Sequence, residues 1–391
     1  MRLSVSILLV GALCGCTVGP DYEPPVSITP DAWTAAAARE IHDEASPLEE
    51  WWTIFDDPKI TELIERAEVS SLDLASAAQR IVEARALRGI ATGRLKPDVA
   101  LDAAYSRQDP SANGPLAGLP GTGDAIDLWD AGFGVSWEID VFGRLRRAIE
   151  AATAELEASV EDYRDVRVIL FADVAATYVE VRTLQARLEF ARSNVDSQRD
   201  SLQLTRDRFD AGLTSALDVA EAESNLGTSE SEIPLLETRL NGALNRLAVL
   251  LGEEPGSLHG ELAEPAPIPS YDEGVTVDMP AELLRRRPDI RRAERQLAAQ
   301  TARVGVATAD LYPTFSLGGF LGVQATSFGD LGDSDSVNWA LVPGLRWRVF
   351  EGGKIRSAIQ VEEARTEQAL LAWEKSVLLA LEEVENALVA Y

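Results

Sequence analysis

Arg208-Phe209-Asp210-Ala211-Gly212-Leu213 is the bend of a hairpin, and the residues on either side of it decide the fold. Upstream, apolar residues recur every seventh position: Val160, Val174, Val181, Leu188, Val195, Leu202 and Phe209, with Arg167 the one interruption. A second series, Ile149, Leu156, Tyr163, Leu170, Thr177, Leu184 and Ala191, stands three or four residues from the first. Together they form the a/d seam of packed helices. The spacing predicts a helix of 66 residues from Arg144 to Phe209. At about 1.5 Å per residue this is roughly 100 Å of rod, more than a compact core uses. The return limb repeats the period at Val219, Leu226, Ile233, Leu240 and Leu247. Gly212 is the natural break, because glycine takes a left-handed turn without strain. Pro234, inside the return limb, predicts a local kink.

Ahead of this hairpin, Lys59 to Leu95 reads as one helix with Leu63, Ala67, Leu74, Ala78, Ile81, Leu87 and Ile90 on its apolar face, ended by Pro97. Strict alternation follows. Val99, Leu101, Ala103 and Tyr105 face one way, and Ala100, Asp102, Ala104 and Ser106 the other. Alternation resumes with Phe133, Val135, Trp137, Ile139 and Val141 against Gly132, Gly134, Ser136, Glu138 and Asp140. An aromatic-rich apolar face opposite a small or charged one suits a lipid-facing barrel strand. One sheet of a soluble sandwich has the same pattern, so two strands leave the choice open.

The chain then repeats itself. Trp137 aligns with Trp347 at an offset of 210 residues, and Gly143-Arg144 meets Gly353-Lys354 at the same offset. Upstream, Leu95 and Pro97 meet Leu311 and Pro313 at an offset of 216. The chain is thus two copies of helix, strand, loop, strand and long helix. The second copy supplies Phe315, Leu317, Leu321 and Val323, then Trp339, Leu341, Leu345, Trp347 and Val349, with a bend expected at Pro343. Four strands cannot close a barrel, and open edges are not tolerated in lipid. The barrel is therefore shared among subunits, with eight strands from two chains or twelve from three.

Composition narrows the function. The 391 residues carry 64 acidic and 36 basic side chains, a formal charge of −28. That balance argues against nucleic acid and anionic membrane surfaces as partners. The two histidines, His42 and His259, stand apart, which disfavours a metal centre or histidine-based catalysis. No nucleophile–base pair, cofactor fingerprint or phosphate loop is present. At the N-terminus, Arg2 precedes the short apolar run Ser4 to Leu13, which is a signal peptide rather than a span. Leu13-Cys14-Gly15-Cys16 resembles a bacterial lipobox, with cleavage leaving Cys16 as the lipidated first residue. Thr17 to Ser46, rich in Pro, Ala and Thr, reads as an extended tether, and Pro255 to Met279 as a connector.

Several motifs together resemble the outer-membrane efflux proteins, the TolC- and OprM-like ducts, and within them the lipid-anchored NodT-like branch. They are the lipobox followed by Val18-Gly19-Pro20-Asp21-Tyr22, then Trp51-Trp52 with Phe55-Asp56-Asp57-Pro58, and the Arg208–Leu213 bend with Asp218-Val219. Leu247-Ala248-Val249-Leu250-Leu251-Gly252 and Leu283-Leu284-Arg285-Arg286-Arg287-Pro288-Asp289-Ile290, running to Ala309-Asp310-Leu311-Tyr312-Pro313, complete the set. The resemblance implies an α+β membrane protein: a TolC-like duct with a long periplasmic α-helical barrel and a transmembrane β-barrel, four strands per subunit and twelve in a homotrimer. It implies a passive, non-enzymatic exit duct for small molecules such as drugs or toxic compounds, within a tripartite efflux pump of the cell outer membrane. Its partners would be a periplasmic adaptor (membrane fusion) protein, an inner-membrane pump of the RND type and outer-membrane lipid, with no cofactor beyond the covalent lipid on Cys16. Arg208, Phe209, Gly212 and Leu213 match the adaptor-docking tip, and Asp218 matches the periplasmic gate.

The implied boundaries are a signal peptide at 1–15, a tether and equatorial segment at 16–57, and a first repeat at 58–251 with its tip at 208–218. An equatorial connector at 252–279 and a second repeat at 280–391 follow, and the barrel strands fall at 98–107, 131–142, 313–324 and 338–350. A second tip would fall near position 418 by the 210-residue offset, so the second long helix is expected to be cut off at Tyr391. Two other readings of the same chain are the exit duct of a type I protein secretion system and a pore-free lipid-anchored coiled-coil scaffold.

Overall fold

The computed structural model describes residues 17–26, 33, 48–109, 125–271 and 280–390. The signal peptide and the lipidation site Cys16 lie outside the described residues, as do parts of the tether, of the first strand–strand loop and of the connector. A 3-10 helix, Leu48–Phe55, leads into α1 (Pro58–Ser70), α2 (Leu72–Gly93), β1 (Asp98–Gln108), β2 (Ile126–Ile139), α3 (Arg144–Asp210) and α4 (Ala216–Leu250). The short helices α5 (Leu258–Glu261) and α6 (Pro280–Arg286) follow, then α7 (Pro288–Ala309), β3 (Thr314–Ala325), β4 (Val337–Arg346) and α8 (Lys354–Ala390). The 67 residues of α3 form one uninterrupted helix, and α4 runs unbroken through Pro234. The chain divides into two compact units.

The first unit comprises Met1–Ser27, Val82–Ser159 and Ile290–Leu379 and holds an antiparallel sheet of order β1-β2-β3-β4. Its register joins the apolar residues of all four strands on one face. Leu101, Phe133, Leu321 and Trp339 stand in one row across the sheet, and Val99, Val135, Gly319 and Leu341 in the next. Because side chains alternate, Asp102, Gly132, Gly322 and Asn338 fall on the opposite face. The apolar row is 53–74% exposed. Such a surface is unfavourable in water and favourable in lipid.

Three strand limits differ from expectation. β2 begins at Ile126 instead of 131 and ends at Ile139 instead of 142, because Ile126 through Asp130 pair with Ala104 through Gln108. Asp140 leaves the strand to cap α3, accepting from the amides of Leu145 and Arg146 at 3.1 and 2.9 Å. β4 stops at Arg346, short of 350, so Trp347 and Val349 lie outside it. Pro343 sits within β4, paired with Leu317, and does not end the strand. β4 is an edge strand of this sheet, where a missing donor is tolerated. In the same unit, α7 is lined by small buried residues, and Ala298 and Ala299 pack with Ala154 of α3.

The second unit comprises Ile28–Ile81, Val160–Asp289 and Ala380–Tyr391. The α3 seam is its core. Val174, Val181 and Leu188 share one buried cluster with Leu236, Leu244 and Leu247 of the return limb, Leu251 at its end and Ile60, Leu63 and Ile64 of α1, and Val195 and Leu202 are buried farther along the seam. Trp52 meets Phe171 edge-on at 5.1 Å. Ion pairs cross the hairpin at Arg192–Glu237, Arg199–Glu230 and Arg206–Glu223, 3.0, 2.8 and 2.6 Å. Exposed pairs of this kind are worth about 0–1 kcal/mol each, so they set register more than stability.

The single helix expected from Lys59 to Leu95 is two. Ser71 is extended, at φ −61° and ψ 127°. The break is where the end of α4 is seated: Ser70 Oγ donates to the Leu251 carbonyl at 2.6 Å. Gly252, at φ +70°, comes so close that a Cβ there would lie 2.3 Å from the Ser70 carbonyl oxygen.

Candidate functional site

The hairpin bend folds by two complementary caps. Gly212, at φ +75°, closes α3: Leu213 N–H donates to the Arg208 carbonyl and Gly212 N–H to that of Phe209, both at 2.8 Å. This 6→1 and 5→2 pair is a Schellman motif. Ser215 then opens α4 as its N-cap in a capping box with Asp218. Asp218 Oδ2 accepts from the Ser215 amide and hydroxyl, each at 2.8 Å, and from the Thr214 hydroxyl. These donors favour the ionised form and hold the Asp218 carboxyl at about 2, the Thr214 hydroxyl contributing most, then the Ser215 amide and hydroxyl.

Arg208, Phe209, Gly212, Leu213 and Asp218 are thus brought together in one reversal. Gly212 and Asp218 build the turn, whereas Phe209 and Leu213 are 44% and 78% exposed. Leu217, 66% exposed, joins this apolar crown and was not singled out in the sequence. The signal was there, since Leu217 falls outside the Val219, Leu226 and Ile233 series that marks the seam of the return limb.

The duplication is built into the sheet base. Trp137 Nε1 donates to the Leu95 carbonyl at 2.9 Å, and Trp347 Nε1 to the Leu311 carbonyl at 3.0 Å. Each indole thereby satisfies a backbone carbonyl at the turn from a helix into a strand.

A second arrangement was missed in the sequence. Thr17–Tyr22, the start of the extended tether expected over Thr17 to Ser46, is a strap bonded to α3 and α7. Val18 N–H donates to the Phe142 carbonyl at 3.2 Å. Arg147, whose side chain is 3% exposed, donates from Nε to the Val18 carbonyl at 3.1 Å and from Nη2 to the Gly19 carbonyl at 3.2 Å. It also reaches Asp21 at 2.6 Å and Glu150 at 2.8 Å. Tyr22 Oη donates to Glu294 at 3.1 Å beneath the Arg295 guanidinium. Burial, and next the Glu294 charge, push the phenol up to about 12.

A family model described as Outer membrane efflux protein matches residues 63–253 and 279–391. The chain belongs to the outer membrane efflux protein family. Nodulation protein T of Rhizobium leguminosarum bv. trifolii is 32% identical over 383 residues, which are 97% of this chain and 79% of that protein. The pyoverdine export outer membrane protein OpmQ of Pseudomonas aeruginosa is 34% identical across 99% of this chain and 80% of its own length. Among solved structures, the outer-membrane channel OprN is 38% identical, with a TM-score of 0.88 over 96% of this chain and 83% of that one. The fold is that of a TolC-like outer-membrane channel, and the protein is an outer-membrane efflux protein.

Proposed function

We propose that three copies of this chain form the passive exit duct of a tripartite efflux pump, releasing small molecules from the periplasm without catalysis of its own. The observation that carries this reading is the one-sided sheet with free edges at β1 and β4. Its apolar rows require lipid, and its edges require partners. Antiparallel order puts the β4 edge of one copy beside the β1 edge of the next, and three copies give twelve strands.

Arg208, Phe209 and Leu213 on the Gly212 turn would meet the periplasmic adaptor, which links the duct to an inner-membrane pump of the RND type. Asp218 would hold the entrance closed. With Oδ2 committed to the cap, this role falls to Oδ1. Lipid on Cys16 would add an anchor, with 1–15 removed as signal peptide. The names of relatives give the substrate class its range: pyoverdine for OpmQ and toluene for an efflux pump outer membrane protein of Pseudomonas putida. The test is the mass of the detergent-extracted protein. A trimer of lipid-modified chains beginning at Cys16 is expected, and a lipid-free monomer overturns the anchored trimeric duct.

A further inference from the structure

The internal repeat pairs two turns at the sheet base, and among the described residues only one of them is filled. In the first repeat, the turn between β2 and α3 receives the strap: a Cβ on Gly143 would lie 2.8 Å from Thr17 Cγ2. At the 210-residue offset the corresponding glycine is Gly353, where a Cβ would meet nothing within 4 Å. Arg147, which grips the strap, corresponds to Ser357, too short to reach one. Among the described residues no segment takes the strap's place at the second turn. In its place is a cavity of about 400 Å³, lined by Leu311 and by residues 347–356.

The chemistry of this cavity differs from that of the molecule as a whole. Trp347, Val349 and Phe350 on its wall are 55%, 79% and 92% exposed. They continue directly from β4, whose apolar face already requires lipid. Three cations line it: Arg348, Lys354 and Arg356. Arg348 is paired with Asp310 at 3.3 Å and Glu351 at 3.6 Å. Lys354 and Arg356 are exposed and make no ion pair among the described residues. In a chain of net charge −28, two free cations beside three exposed apolar side chains at the sheet base form a local exception to the general repulsion of anions.

We propose that the 347–356 turn is a binding site for an anionic phospholipid of the adjoining leaflet. The acyl chains lie against Trp347, Val349 and Phe350, and the phosphate is held by Lys354 and Arg356. Charge complementarity and continuity with the lipid-facing sheet select this occupant. The lipid occupies the place that the strap takes in the first repeat. This site depends on outer-membrane placement and not on the number of subunits.

The experiment is native mass spectrometry of the full chain in detergent, titrated with phosphatidylglycerol or with phosphatidylcholine of the same acyl chains. It compares the parent with a Lys354→Gln/Arg356→Gln double variant and, separately, Phe350→Ser. Two cations near the headgroup, at about 1 kcal/mol each, give roughly thirtyfold preference for phosphatidylglycerol. The double variant is expected to bind both lipids equally, with its oligomeric mass unchanged, and Phe350→Ser to lose both lipids. Equal binding of both lipids by the parent, or retained preference in the double variant, overturns the site. A change of oligomeric mass in Phe350→Ser with lipid binding intact also overturns it, by assigning the surface to a second copy of the chain. A parent that is monomeric yet prefers phosphatidylglycerol would support this site while removing the trimeric duct.

Discussion

Replacing Arg147 by alanine should free the N-terminal strap while leaving both helical units folded. The guanidinium donates to the Val18 and Gly19 carbonyls from a position only 3% exposed. Charge-assisted bonds of this kind contribute about 1.5–3 kcal/mol each. The pair with Asp21 adds little, because that carboxylate is 90% exposed and such pairs are worth under about 1 kcal/mol. Taking the lower value for each carbonyl bond gives about 3 kcal/mol, or roughly a 150-fold shift toward the undocked strap. Hydrogen–deuterium exchange reads this directly at the Val18 amide, which donates to the Phe142 carbonyl. Its protection should fall about 100-fold, with no change along α3 and α7. Unchanged protection at Val18 would refute the clamp. Loss of protection throughout α3 and α7 would refute it differently, by showing that Arg147 serves helix packing instead.

Gly252→Ala places a methyl group against the Ser70 carbonyl and forces φ +70° on a residue with a side chain. The midpoint of heat-induced unfolding should drop by several degrees, more than for Gly242→Ala, where a Cβ meets nothing within 4 Å. Asp218→Ala removes the acceptor of the capping box, so amides at the start of α4 should exchange faster while Val181 and Leu247 keep their protection. The pH dependence has a fixed sign. The folded-state value near 2 lies below the ordinary aspartate value of 3.8, so the cap stabilises the turn at neutral pH and its contribution is lost as pH falls from about 4 to about 2. Exchange at Ser215 and Asp218, followed across that window, checks it. Trp137→Phe and Trp347→Phe each delete one indole bond to a helix-end carbonyl and should lower stability by about 1 kcal/mol apiece. The two effects should add, since they sit in separate copies of the repeat, and denaturant titration of the single and double variants measures this.

The elements carried by strong periodicity were legible. Heptads from Val160 to Phe209 fixed the long helix to within one residue of its end, and alternation placed Phe133 and Leu321 on the face where the register puts them. Features made by contacts distant in sequence were not legible. The break at Ser71 depends on a residue 181 positions away, whose carbonyl takes the neighbouring Ser70 hydroxyl. The strap was read as tether because Pro, Thr and Gly near a terminus carry no periodicity, and its partner Arg147 lies 128 positions beyond Gly19. The tip residues were recognised by their motif, but the division of labour among them was not. Asp218 was matched to the gate by its motif, whereas its bonds to the Ser215 amide and hydroxyl, which build the cap, are contacts of the folded turn.

The reversal at residues 208–218 satisfies its backbone from within, through Gly212 on one side and the Ser215–Asp218 box on the other. Its shape therefore rests on three residues, none of which needs to touch a partner to do that work. Arg208, Phe209, Leu213 and Leu217 are left as lettering on a fixed plate. Under the docking role proposed above, they could be rewritten to suit a different partner without putting the turn itself at risk, so a change of pump assembly would require a change of inscription and not of architecture.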